Sequence, residues 1–235
     1  MPTNLSHRAR ATATKPLVQI ALTALLALGV SLCIGNAALA QAVSNTSLNA
    51  QLLVAARQSD LPAVQRALQQ GAAVNSRNRL GKTVLMIAAE KSNLAMADAA
   101  LGAGADVNLA SVEQVTPLMA AAYVGQADLV RALLKAGART EPTDRLHKPA
   151  VVYAAGQGHA AVLALLLDAG VAVDAAYENK LTALMWAAGQ GQADAVKLLL
   201  SRGADRGLKD DRGLTALEMA RQGGHGAVAG LLQAP

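Results

Sequence analysis

A threonine returns along this chain at a fixed interval. Thr83, Thr116, Thr182 and Thr215 are separated by 33, 66 and 33 residues, and Pro149 stands at the register the wide gap skips. The register before Thr83 holds Ala50. Five glycines keep the same period: Gly71, Gly104, Gly137, Gly170 and Gly203. A period of about 20 to 50 residues marks units that cannot bury their apolar face alone and must stack on their neighbours. Six units follow, starting near residues 45, 78, 111, 144, 177 and 210.

Each unit carries a short apolar run at one place. The runs are Leu52 to Ala56, Leu85 to Ala89, Leu118 to Ala122, Val151 to Ala155, Leu184 to Ala188 and the less regular Leu217 to Arg221. Hydrophobic residues make up 53% of the chain, yet aromatics are 2% and Phe is absent. The core must be built of Ala, Leu and Val, which suits helices that approach closely. Thr before the run supplies a helix cap, and Pro117 fits the first turn. Val162 to Leu167 and Val196 to Leu200 give a second helix its apolar side, and Gly170 and Gly203 stop that helix. The end units are atypical: Ser59 replaces a glycine in the first, and Gly226 and Gly230 weaken the last helix, where fraying is expected.

The stretch Thr116-Pro117-Leu118-Met119-Ala120-Ala121 resembles the ankyrin motif Thr-Pro-Leu-His-x-Ala. Gly158-His159 and Gly224-His225 resemble that family's Gly-His, and Gly104-Ala-Asp-Val-Asn108 resembles its exit loop. The resemblance spans residues 45–235. It implies an all-α, ankyrin-repeat solenoid of about six 33-residue helix–turn–helix repeats with short β-turn loops. One departure is systematic: the motif His is Leu53, Met86, Met119, Val152, Met185 or Glu218 here. Apolar packing is expected to replace its hydrogen bond.

Residues 1–40 read differently. Arg8, Arg10 and Lys15 precede a 19-residue apolar run, Leu17 to Gly35, and Ala38-Leu39-Ala40 follows. That order is a secretory signal peptide, cleaved after Ala40. The domain of residues 41–235 would then hold no cysteine, because Cys33 lies in the leader. An uncleaved leader would instead be a membrane anchor, since 19 residues can span a bilayer. The leader also holds three of the 21 cationic residues and none of the 16 acids, leaving 18 − 16 = +2 for the rest. A basic surface for nucleic acid is therefore not indicated.

No chemistry assembles from the motifs. Gly81-Lys82-Thr83 imitates the tail of a phosphate loop, but position 76 is Ser76 where that loop needs glycine. His159 and His225 are two whole repeats apart, too far to share a metal. We expect no enzyme, no cofactor and no metal.

The resemblance implies a protein partner, held by the turn tips and the exposed face of each first helix, which line a concave surface. In those registers Val112, Val115, Val124, Leu146 and Leu181 put apolar groups where solvated ones are usual, and Gly156 and Gly189 leave space beside Tyr123. All four aromatic residues lie in repeats three to five, with Tyr153 and Trp186 in one register and Tyr177 in the turn between them. The expected partner-binding set is Val112, Val115, Tyr123, Val124, Leu146, Leu181 and Trp186; for Tyr153 and Trp186, packing between repeats is the competing role. The expected function is a periplasmic scaffold, monomeric and off the membrane once the leader is cut. The alternatives are a secreted effector meeting a host protein and a tethered module. The resemblance to exported bacterial ankyrin proteins also suggests support of a stress-related enzyme.

Overall fold

Thr83, Thr116, Thr182 and Thr215 each accept a hydrogen bond at 3.3 Å from the backbone N–H three residues on. Each satisfies one of the donors a helix start leaves open. The computed structural model describes residues 47–233, so the leader, its cleavage site and its anchor alternative lie outside the described residues. The helices come in pairs: α1 (47–58) with α2 (Leu61–Gln69), α3 (Val84–Glu90) with α4 (Leu94–Gly102), and α5 (Pro117–Val124) with α6 (Ala127–Lys135). The series continues with α7 (Ala150–Gln157) and α8 (Ala160–Asp168), α9 (Ala183–Gly189) and α10 (Ala193–Ser201), then α11 (Ala216–Gln222) and α12 (Gly226–Gln233). No strand occurs among the described residues. The all-α solenoid expected from the period is the fold, and α12 is helical from Gly226 despite its two glycines.

The alanine pairs lie at the seam between neighbouring first helices. Ala88, Ala89, Ala121, Ala122, Ala154, Ala155, Ala187 and Ala188 are wholly buried. A methyl side chain lets the first helices of successive repeats pack directly on one another. Leu85, Leu118 and Leu184 of the first helices are buried in one core with Met96, Leu129, Leu133, Leu163, Leu166 and Leu199 of the second helices.

The motif-His register is also buried. Met86, Met119 and Met185 sit there with at most 1% of their surface exposed, as apolar packing requires. The polar bond is not lost everywhere. Thr116 N–H reaches Met119 Sδ at 3.5 Å, and Thr215 N–H reaches Glu218 Oε2 at 2.7 Å.

A ladder of side chains ties the repeats where each first helix turns into its second. Gln126 Nε2 donates to Ser92 O at 3.2 Å and Gln192 Nε2 to Gly156 O at 3.1 Å. His159 Nε2 meets Tyr123 O at 3.0 Å and His225 Nε2 meets Gly189 O at 3.1 Å. Both histidines are thus inter-repeat hydrogen bonders. Gly158 and Gly191 must be glycine for two reasons: φ is +79° and +74°, and an added Cβ would fall 2.3 Å from Gln192 and 2.6 Å from His225.

Candidate protein-binding groove

The tip turns follow one rule with one exception. The first residue of each turn is Asn78, Ser111, Asp144, Tyr177 or Asp210. Asn78 Oδ1 accepts from Leu80 and Lys82 N–H at 2.9 and 3.0 Å. Asp144 Oδ1 accepts from Leu146 and Lys148 N–H, each at 2.9 Å, and Asp210 Oδ1 accepts from Arg212 and Leu214 N–H at 2.9 and 2.8 Å. Ser111 makes the weaker version, to Val115 N–H at 3.3 Å. A short polar side chain folds back on its own turn in this way. Tyr177 cannot.

The fifth turn is accordingly different. It coils into one turn of 3₁₀ helix, Glu178–Lys180, with Asn179 at φ +58°, ψ +26°. Elsewhere one residue takes positive φ, at Gly81, Gln114, His147 or Gly213; here both Asn179 and Lys180 do. The ladder between tips changes with it. Val112 N–H donates to Leu80 O at 2.9 Å, Arg145 N–H to Glu113 O at 3.2 Å and Asp211 N–H to Asn179 O at 3.1 Å. Among the described residues no bond joins Glu178 N–H to Leu146 O. A cavity of about 240 Å³ opens there instead, lined by Leu146, Lys148, Tyr177, Leu181 and Trp186 among others.

Three more hollows continue from it, two sharing walls with it and the third reached through the hollow beside Tyr123. One of about 210 Å³ lies among Tyr123, Tyr153, Gly156, Lys148 and Trp186. One of about 360 Å³ lies among Val115, Met119, Tyr123, Val124 and Tyr153, and one of about 280 Å³ beside Trp186, Gly189 and Met219. Shared walls at Tyr123, Tyr153 and Trp186 join them into a groove over repeats three to five.

Polar contacts fix the aromatic rings. Tyr153 donates its hydroxyl to Asp144 Oδ2, the oxygen the turn leaves over. Burial and that bond both hold the Tyr153 hydroxyl well above its ordinary pKa. Burial alone pushes Tyr177 up to about 12. Lys148 places Nζ 4.6 Å from the centroid of the Trp186 ring, a cation–π pairing.

The expected site residues divide. Tyr123, Val112, Leu146 and Val124 are exposed, at 51%, 48%, 62% and 38%. Val115 and Leu181 are half-buried and pack against the core rather than standing in solvent. They directly precede the capping threonine, where the chain turns inward. Trp186 and Tyr153 are half-buried, so each has one face on the core and one in the groove. Gly156 does open the space between Tyr123 and Trp186, but Gly189 lies by Met219 and Trp186, away from Tyr123. Sequence reasoning missed Asp144 and Lys148 as partners of the aromatics; the alignment of Asp144 with Asp210 was the available signal. Among the described residues no three His, Cys, Asp or Glu side chains gather to hold a metal.

Comparison with known proteins follows the same lines. A family model described as ankyrin repeats (3 copies) matches residues 52–144 and 147–234. Among solved structures, the ankyrin repeat protein EF0377 is 31% identical, with a TM-score of 0.71; the match covers 79% of this chain and 98% of that one. A search of curated proteins finds no match. In all, 554 solved chains match, so likeness of fold does not single out a partner. Ankyrin repeats are protein–protein interaction modules and typically do no catalysis. With more than half of its length matched and a 33-residue register running through it, the chain belongs to the ankyrin-repeat family.

Proposed function

We propose that this chain is an exported scaffold that holds a partner protein in the groove over repeats three to five. The observation that carries the reading is the exposure of Val112, Tyr123, Val124 and Leu146 in adjoining repeats. Exposed apolar groups that cluster, beside half-buried aromatic rings, mark a surface made to be covered. Tyr123 and Trp186 anchor the partner, and Val115 and Leu181 shape the floor on which it lies. The leader supports export: a charged start, an apolar run and Ala38-x-Ala40 send residues 41–235 to the periplasm, as a monomer free of the membrane. Support of a stress-related enzyme there is the specific role we assign to it.

Capture from the exported fraction tests the binding claim. Wild-type protein should retain a partner that the double variant Tyr123→Ala, Leu146→Ala loses, while circular dichroism shows the variant still folded at the capture temperature despite a modest loss of stability. Equal retention by both sinks the groove. Sequencing the N-terminus of the protein from cells tests export; a start at Gln41 supports it, and an intact Met1 makes the module a tethered one.

A further inference from the structure

We propose that the partner segment in this groove is a short apolar stretch carrying one carboxylate, which pairs with Lys148. The inference rests on the groove reading above and adds the chemistry of the occupant. The cations around the tips are mostly neutralised within the chain. Lys82 pairs with Glu90 at 2.6 Å, Lys180 with Asp211 at 2.9 Å, Arg212 with Asp210 at 2.8 Å and Arg145 with Glu113 at 3.5 Å. His147 lies 3.7 Å from Glu178.

Lys148 differs. Among the described residues no carboxylate lies within 4.0 Å of its Nζ, which rests on Trp186 instead. Its neighbour Asp144 is spent: one oxygen takes Leu146 and Lys148 N–H, and the other takes the Tyr153 hydroxyl. Arg79 also has no carboxylate within 4.0 Å among the described residues, but it borders none of the four hollows.

Place makes the difference useful. Lys148, Val152 and Trp186 form the wall between the tip cavity and the hollow beside Tyr123. A segment crossing that wall would set an apolar side chain in each cavity and a carboxylate between them. The indole face holds the ammonium in position without using its charge up, so a carboxylate can approach from the solvent side. A charge paired in a partly desolvated groove discriminates among partners more sharply than one on the rim.

Displayed random peptides, selected on the full chain, test this. Enriched sequences should share an Asp or Glu flanked by apolar residues. Lys148→Met keeps an unbranched stem on Trp186, should unfold at the same midpoint, and should weaken those peptides roughly tenfold. Lys148→Glu should select Lys or Arg in place of the acid. Peptides without an acid, or peptides lost with Tyr123→Ala, Leu146→Ala yet indifferent to Lys148→Met, would overturn the acidic segment and leave the groove standing. Peptides indifferent to all of these variants would overturn both. Failure to enrich any peptide overturns the acidic segment and leaves the groove to the capture experiment.

Discussion

Tyr123 and Tyr153 meet edge to face across two repeats, with ring centroids 5.7 Å apart and planes at 86°. The two rings have unequal jobs. Tyr153 is tied to buried Asp144 through its hydroxyl, while Tyr123 is half in water. Tyr153→Phe should cost about 2 kcal/mol, because a bond to a charged, buried acceptor is lost. Tyr123→Ala should cost about 1 kcal/mol, most of it the ring pairing. Urea unfolding monitored by circular dichroism separates them; equal costs would contradict the division.

The capping threonines are a second test. Thr182→Ala removes a cap from α9 and should destabilise by about 1 kcal/mol. Repeat four lacks that bond, since Pro149 caps α7 with no side-chain acceptor. Pro149 already has the extended backbone of the threonines, φ −81° and ψ 174° against −96° and 166° at Thr182. Pro149→Thr should therefore stabilise by up to about 1 kcal/mol, the cap outweighing the lost rigidity of proline. A destabilised variant in thermal unfolding would refute this.

At the ladder between helix pairs, Gly158→Ala should be harmful. Alanine would sit at φ +79° and press on Gln192, the donor to Gly156 O. A loss of about 1 to 2 kcal/mol is expected. Gly170→Ala, with φ +99° but nothing within 4 Å, isolates the backbone part of that cost. Unfolding curves of the two should differ, and identical curves would remove the clash from the account.

Alkaline pH should weaken the groove before the rest. Tyr177 has a folded-state pKa of about 12 against 10.0 in the unfolded chain, so folding favours its neutral form. That stability is complete below pH 10 and is lost as pH rises towards 12. Tyr177→Phe should flatten this limb in unfolding midpoints measured across the range. In acid the sign reverses. Hydrogen bonds from Thr215 hold the Glu218 carboxyl below its ordinary range, so its contribution is present above the unfolded value and fades as pH falls through the folded one. Glu218→Gln should reduce the acid sensitivity of α11, read by hydrogen exchange.

Much of the fold is legible because its rules are local and repeat. A capping threonine, an alanine pair and a left-handed glycine each act within a few residues, and the 33-residue register multiplies them. The site is legible only in part. Tyr123 and Leu146 stand in solvent as their register implies, Leu146 at a turn tip whose equivalents Leu80, Glu113, Asn179 and Arg212 are exposed too. Val115 and Leu181 do not, because their burial depends on the path of the chain into the cap. The tip cavity depends on Tyr177 lacking what Asp144 and Asp210 do, a difference visible in the sequence once the turns are aligned. The Lys148–Trp186 pairing is not local, and only the stacking of repeats four and five brings it about.

The most direct test of the groove puts a photoreactive residue at position 146 and, separately, at position 131, in the chain expressed in its own cells. Arg131 is exposed on α6 and borders none of the four hollows. The account predicts a cross-linked protein from position 146 that is lost when Tyr123→Ala is added, and none from position 131. The same adducts from both positions, or adducts from 131 alone, would contradict it.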